Sequence, residues 1–178
     1  MRIFLSQLSM PNFAIITRLL PMILAALCLI TASTDSLATS MTSPIKFEQL
    51  TTKDGLSQSY VYDMVQDKQG FIWIATQDGL NRYDGDTFVH YRHNVLEPNS
   101  IANNFIRKVF IDRNDTLWIG TDNGLSKYNR QTDDFNNFVN IENNSTTLKD
   151  NVVWNIYQDN KDKLWVTTEQ GIHKFNTK

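Results

Sequence analysis

The segment DKQGFIWIATQDGL at residues 67–80 decides the fold, because it occurs three times in the chain. It returns as DRNDTLWIGTDNGL at residues 112–125 and as DNKDKLWVTTEQGI at residues 159–172, so the copies are offset by 45 and then 47 residues. Four positions are identical in every copy: Asp67, Asp112 and Asp159; Trp73, Trp118 and Trp165; Thr76, Thr121 and Thr168; Gly79, Gly124 and Gly171. A repeat of this period predicts an array of small structural units that stack on one another.

Each copy has the pattern of short β-strands joined by tight turns. First strands are predicted at residues 61–66, 106–111 and 153–158, and second strands at 71–76, 116–121 and 163–168. The repeated Asp starts the turn between them, since its side chain can accept a local backbone N–H. Asp78-Gly79 and Asn123-Gly124 predict hairpins into third strands. Fourth strands are expected around residues 88–91 and 135–139. Four antiparallel strands in about 45 residues are typical of a propeller blade.

The chain is therefore expected to be an all-β, incomplete β-propeller of about three four-stranded antiparallel blades, the last one truncated. The predicted organisation follows the chain in order: a signal peptide at 1–38, an introductory segment at 39–55 with a lone strand at Ile45 to Leu50, blades at 56–100 and 101–147, and a partial blade at 148–178. The repeated Trp, Thr and Gly residues are interpreted as packing and turn residues, because stacked blades bury their central strands.

The number of blades is lower than a closed ring needs. Propellers usually close with four to eight blades, and an open array leaves apolar sheet faces at both ends. We therefore expect the chain to be the front of a longer protein, and the isolated chain to fold poorly or to self-associate. An oligomer of short arrays is the alternative.

The first 38 residues differ in composition from the rest. Only Arg2 and Arg18 are charged before Asp35, residues 19–30 are apolar, and Ser36-Leu37-Ala38 has small residues at the cleavage-determining positions. This pattern is typical of a secretory signal peptide, with an uncleaved membrane anchor as the alternative. Cleavage after residue 38 would leave 140 of the 178 residues and remove the single cysteine of the chain. A cysteine-free exported protein fits a bacterial periplasm.

Composition excludes two further classes of protein. The formal net charge is −2, which gives no basic footprint for a nucleic-acid binder. Hydrophobic residues make up 41% of the chain, which excludes wholesale disorder. With one cysteine, the chain can form neither an intrachain disulfide nor a cysteine-based zinc site.

The repeated phrases QDKQGFIWIAT at residues 66–76 and LWIGTDNGL at 117–125 resemble the two-component regulator propeller repeat. The resemblance extends from Ile45 to Lys178, although Asp162 stands where that family prefers Gly and Thr167 where Gly or Ala is usual. It implies a periplasmic input region of a bacterial membrane-bound sensor. In that family two seven-bladed propellers commonly precede an immunoglobulin-like domain, a membrane helix and a histidine kinase or diguanylate cyclase.

A search for catalytic chemistry finds none. His90 and His93 are three residues apart on a predicted strand and so point to opposite faces, while His173 is placed with Arg82 and Lys127 at a solvated strand position. Asp84-Gly85-Asp86 is interpreted as a turn and not as a calcium loop. We predict no enzyme activity, no metal and no cofactor; a fragment of a propeller lyase or hydrolase is the less favoured alternative.

A binding surface is the remaining candidate. Tyr62, Arg107 and Trp154 occupy one equivalent position on the inner strands and differ strongly, whereas the packing positions agree. Asn104 and Asn151 lie in loops expected on the same face. These five residues are the candidate ligand site, with a carbohydrate or a peptide as the expected ligand. Tolerated variation at an exposed position is the other explanation.

Overall fold

The computed structural model describes residues 45–175. Residues 48–175 belong to one compact unit. It contains eleven described strands: β1 (Val61–Gln66), β2 (Ile72–Thr76), β3 (Gly79–Tyr83), β4 (Phe88–Tyr91), β5 (Ile106–Ile111), β6 (Leu117–Thr121), β7 (Gly124–Asn129), β8 (Asp134–Phe138), β9 (Val153–Gln158), β10 (Leu164–Thr168) and β11 (Gly171–Phe175). Across the described residues there is no helix long and apolar enough to cross a membrane. The predicted signal peptide lies outside the described residues.

The strands form three antiparallel sheets in chain order. Sheet 1 is β1-β2-β3-β4, sheet 2 is β5-β6-β7-β8, and sheet 3 contains β9, β10 and β11. Each strand pairs with its sequence neighbour, as in a propeller blade. The all-β, propeller-like fold predicted from the repeats is therefore confirmed.

The repeated Asp and Trp form one hydrogen-bonded unit in each sheet. Asp67 Oδ1 accepts the backbone N–H groups of Gln69 and Phe71, both at 3.0 Å, and Asp67 Oδ2 accepts the indole N–H of Trp73 at 2.8 Å. The other two copies repeat all three bonds, with indole–carboxylate distances of 3.0 and 2.9 Å. Burial alone would raise the pKa of Asp67, but donation from Trp73 and from Arg130 holds that pKa below its ordinary value.

The repeated Thr and Gly close the hairpin between the second and third strands. Thr76 Oγ1 donates to the Gly79 carbonyl at 2.7 Å and accepts the Asp78 N–H at 3.1 Å. Gly79 has a φ of +100°, and a Cβ at this position would lie 2.6 Å from the Tyr91 carbonyl oxygen. Only glycine fits such a backbone conformation and such a close approach.

The sheets stack face to face around two apolar cores. We call the face that carries the repeated Trp the back face of a sheet, and the opposite face its front face. Trp73 on the back of sheet 1 lies 5.7 Å from the ring of Tyr91 and 4.8 Å from that of Tyr128 in sheet 2. Trp118 on the back of sheet 2 packs in the same way on Phe138 and on Phe175 of sheet 3. Trp73 and Trp118 are buried, whereas Trp165 is only half-buried.

Two local expectations differ from the structure. Residues 45–50 do not form the lone strand predicted at Ile45 to Leu50; they are exposed and pair with none of the described strands, and an extended segment needs such a partner for its backbone hydrogen bonds. The placement of His173 is also wrong. His173 pairs with Val166, which makes it the counterpart of Asn81 and not of Arg82.

Candidate functional site

Each sheet has an irregularity at the start of its inner strand. In sheet 1, Val61 pairs with Thr76 but Asp63 pairs with the adjacent Ala75, so Tyr62 has no partner of its own. The same shift leaves Arg107 unpaired in sheet 2 and Trp154 unpaired in sheet 3. The three candidate residues are therefore the extra residues of three β-bulges. A bulge bends the strand and re-aims a side chain, and bulges are common beside functional sites.

The bulges bring side chains from all three sheets together. The rings of Tyr62 and Phe105 are 5.1 Å apart between centroids. The guanidinium of Arg107 lies 4.7 Å from the Phe105 centroid and 4.0 Å from the Trp154 centroid. These distances are within the range of aromatic and cation–π contacts. We call Tyr62, Phe105, Arg107 and Trp154 the ring ladder, because they form one continuous row across the sheets.

Polar groups from the hairpins between second and third strands hold the ring ladder. Gln77 donates from Nε2 to the Tyr62 hydroxyl at 2.6 Å. Asp122, at the equivalent position of the next hairpin, forms an ion pair with Arg107. The two ends of the ladder remain open, since Tyr62 is 44% exposed and Trp154 is 48% exposed. The site therefore exposes the aromatic rings of Tyr62 and Trp154 to solvent. The charge of Arg107 between them is already paired with Asp122.

Asn104 and Asn151, the two amides of the predicted ligand site, form equivalent hydrogen bonds within the fold. The Asn104 side-chain oxygen accepts the His93 N–H at 2.7 Å, and that of Asn151 accepts the Asn140 N–H at 2.6 Å. Their backbone carbonyls accept the N–H groups of Gly79 and Gly124, each at 2.7 Å. Each Asn thus links the hairpin of the preceding sheet to the loop that follows that sheet.

Sequence reasoning missed Phe105 as a member of the site. The residue lies two positions before the bulge, in a loop that was expected on the binding face, and its counterpart in the first repeat is Tyr60. The recurrence of an aromatic residue at this position is a signal that could have identified it. The ion pair of Arg107 with Asp122 could not be found in this way, because the bulge that aligns the two side chains is not visible in the sequence.

The histidines and the acidic turn have local structural partners. His90 bonds the Gly55 carbonyl at 2.7 Å, and His93, which lies beyond β4, bonds the Ile101 carbonyl at 2.8 Å. Asp84 accepts the N–H groups of Asp86 and Thr87, as a turn residue does. Within residues 45–175 no group of three His, Cys, Asp or Glu side chains is arranged to hold a metal.

The repeats match a known family. The model of the two component regulator propeller family matches residues 55–78, 100–123 and 147–170. Each matched segment contains one Asp–Trp unit and ends one residue before the repeated Gly. A curated relative, histidine kinase P4 of Formosa agariphila, is 52% identical over 56 residues, which are 32% of this chain and 4% of the relative.

A solved structure has a similar fold over most of this chain. It is described as the extracellular domain of a hybrid two component system from B. thetaiotaomicron, and it is 34% identical with a TM-score of 0.69. The likeness covers 73% of this chain and 19% of that domain, so this chain spans a small part of both relatives. The three repeated units of this chain belong to the two component regulator propeller family.

Proposed function

We propose that the chain is a noncatalytic, ligand-sensing propeller segment of a bacterial signal-transduction receptor, exported to the periplasm and continued by further blades and signalling domains in the parent protein. The family of its repeats supports this role, as do the names of its relatives, a histidine kinase and the extracellular part of a hybrid two component system. The parent protein would reside in the inner membrane.

The ring ladder is the observation that carries the proposal. It combines residues from three sheets, it has two half-exposed aromatic ends, and its residues differ between repeats although the packing residues agree. A position that only tolerates variation needs neither a bulge in every sheet nor a second group that holds its side chain. In this chain Gln77 holds Tyr62 and Asp122 holds Arg107.

The chemistry of the ladder favours a neutral ligand with an apolar face. Trp154 and Tyr62 offer aromatic surface for stacking, and Gln77 and the neighbouring amides offer hydrogen bonds. The positive charge of Arg107 is compensated by Asp122, so an anionic ligand would have to compete with a carboxylate that is already in place. Neutral carbohydrates and uncharged peptides both meet these requirements.

Titration of the purified chain tests the proposal. The probes are neutral oligosaccharides (malto-, cello- and xylo-hexaose) and acetylated, amidated peptides without charged side chains. Calorimetry and tryptophan fluorescence measure their binding. We expect one class to bind, and we expect Trp154→Ala to weaken that binding at least about tenfold, since a tryptophan that stacks on a ligand typically contributes more than ~1.4 kcal/mol.

The matched control is Tyr157→Ala, which removes an exposed aromatic residue of the same sheet from outside the ring ladder. It should leave the affinity unchanged. If neither class binds, or if the unsubstituted chain and Trp154→Ala bind with equal affinity, the proposed site is wrong.

A short exported adaptor that closes by oligomerisation is the second candidate function. The exposed sheet faces at the two ends of the array favour it, since Met64 of sheet 1 is 64% exposed and Ile172 of sheet 3 is 68% exposed.

A further inference from the structure

The first residue after the second strand of each sheet serves the bulge of that same sheet. In sheet 1 this residue is Gln77, which donates to the Tyr62 hydroxyl. In sheet 2 it is Asp122, which forms an ion pair with Arg107. Neither Gln77 nor Asp122 forms a hydrogen bond or an ion pair with the sheet that follows. The position therefore holds the bulge side chain of its own sheet.

In sheet 3 the same position is Glu169, and the bulge residue is Trp154. The Glu169 carboxylate is exposed and has no hydrogen-bond or ion-pair partner among residues 45–175. The backbone N–H of Glu169 donates to Asp150 Oδ2 at 3.0 Å, so the hairpin itself is held in place. The third sheet thus presents a free carboxylate where the other two sheets use the equivalent side chain to hold the ring ladder.

The indole N–H of Trp154 is unpaired as well. Each of the other three tryptophans, Trp73, Trp118 and Trp165, donates its indole N–H to the repeated Asp of its own sheet, at 2.8, 3.0 and 2.9 Å. Trp154 donates to no acceptor within residues 45–175, although its ring lies 4.0 Å from the Arg107 guanidinium. A hydrogen-bond acceptor and a hydrogen-bond donor are therefore both available at the third bulge.

The repeats show that Glu169 is not the residue on which a following strand or loop would lie. In sheet 1, Arg92 follows the fourth strand and pairs with Asp78, the second residue of the hairpin, at 2.9 Å. In sheet 2, the loop before β9 donates to Asn123 Oδ1, again at the second residue, at 3.1 Å. The counterpart of these two residues in sheet 3 is Gln170. A further strand and loop of the same pattern would contact Gln170 and leave Glu169 open.

One uncharged group can satisfy a carboxylate and an indole N–H together if it both donates and accepts hydrogen bonds. Hydroxyl groups and carboxamides have this property. The bond to the ionised carboxylate is the stronger of the two, because a charged acceptor strengthens a hydrogen bond. Since Arg107 already contacts the ring of Trp154, an uncharged donor fits this place better than a second cation does.

We infer that Glu169 is a specificity-determining residue of the ring ladder, whose carboxylate accepts a hydrogen bond from a hydroxyl or an amide of the ligand while the Trp154 indole N–H donates to the same ligand group. The inference rests on the proposed function, because it requires a ligand at the ring ladder. It restricts that ligand to one with a hydrogen-bond donor at the end that lies on Trp154.

Calorimetric titration with the oligosaccharides and the capped peptides tests the inference, because the unsubstituted chain first identifies which of these probes binds. Glu169→Ala should weaken the binding of that probe at least about tenfold, and Glu169→Gln should weaken it less, since the amide oxygen still accepts. Trp154→Phe keeps an aromatic ring but removes the N–H, and it should weaken binding at least about threefold. The free energy of unfolding should not change in the Glu169 variants, because the carboxylate has no partner in the described fold.

Glu142→Ala is the matched control, since it removes another exposed carboxylate that has no partner among residues 45–175, from the loop between sheets 2 and 3. It should bind the probe as the unsubstituted chain does. If Trp154→Ala weakens binding and Glu169→Ala does not, the ring ladder binds a ligand and this inference alone is wrong. If no probe binds, the proposed function and the inference are both wrong. A lower free energy of unfolding in Glu169→Ala would reveal a partner within the fold and would also overturn the inference.

Discussion

A single carboxylate organises each repeat. In sheet 2, Asp112 is buried and accepts two backbone N–H groups of its own turn and the indole N–H of Trp118. The turn therefore fixes the position of the carboxylate, and the carboxylate fixes the orientation of the ring in the core between sheets. The six-residue spacing between Asp and Trp is the distance along the chain that allows both contacts.

Asp112→Asn should destabilise the chain by about 2 kcal/mol. The amide can still accept at one oxygen, but its NH₂ group then faces the Trp118 N–H, which leaves a buried donor without an acceptor. Urea unfolding, followed by tryptophan fluorescence, measures the change in the free energy of unfolding.

Asp86→Asn is the matched control, because it makes the same chemical change in an exposed turn. Its effect should stay within about 0.5 kcal/mol, as is usual for surface substitutions. Equal unfolding free energies for Asp112→Asn and the unsubstituted chain would show that the indole contact does not orient the ring.

At the scale of the strands, the sequence predicts most of the strands and hairpins that the structure contains. The spacing of Asp, Trp, Thr and Gly gives the order of the strands and the hairpins, because each residue type has a local geometric reason for its place. The β-bulges at Tyr62, Arg107 and Trp154 are not predictable in this way. They arise from the pairing of two strands, and a residue skipped in the pairing leaves no mark in either strand.

The two misplaced features have the same origin. Residues 45–50 alternate as a strand does, but the formation of a strand depends on a partner that the pattern does not contain. The sequence comparison places His173 at the position of Arg82 and Lys127, whereas the register places Lys174 opposite Trp165 as the cation of its sheet. A shift of one residue moves a side chain to the other face of a sheet.

Between sheets, packing depends on how closely two strands approach. Gly120 has an ordinary extended backbone, so glycine is not needed there for its conformation. It is needed because a Cβ at this position would collide with Val153. Gly120→Ala should therefore destabilise the chain by about 2 kcal/mol through overpacking. Urea unfolding measures this cost.

The double variant Gly120→Ala/Val153→Ala separates crowding from any other effect of the new methyl group. Shortening Val153 removes the atom that the methyl group meets, so the two substitutions should be less costly together than the sum of their separate costs, by about 1 kcal/mol. Strictly additive free energies would indicate that the two residues do not contact each other.

At the scale of the molecule, stability comes from two seams between sheets, as in other repeat arrays. The seams differ in chemistry. Between sheets 2 and 3 the aromatic cluster consists of Trp118, Phe138 and Phe175. Between sheets 1 and 2, Tyr91 and Tyr128 donate to one carboxylate oxygen of Asp133, at 2.7 and 2.5 Å. The seam between sheets 1 and 2 therefore contains ionisable rings, whereas the aromatic cluster between sheets 2 and 3 contains none.

Alkaline pH should consequently open the seam between sheets 1 and 2. Burial raises the pKa values of Tyr91 and Tyr128, and their hydrogen bonds to Asp133 raise them further. A tyrosine whose pKa is higher in the folded chain than in the unfolded one stabilises the fold below the unfolded value of about 10, and this contribution is lost as the pH rises above it.

Tyrosinate absorbance and circular dichroism, recorded together during a titration with base, should show a late step in which both rings ionise as β structure is lost. Tyr91→Phe should reduce the amplitude of that step, and Tyr157→Phe should leave it unchanged. If all tyrosines ionise while the β signal stays intact, Tyr91 and Tyr128 do not seal the seam.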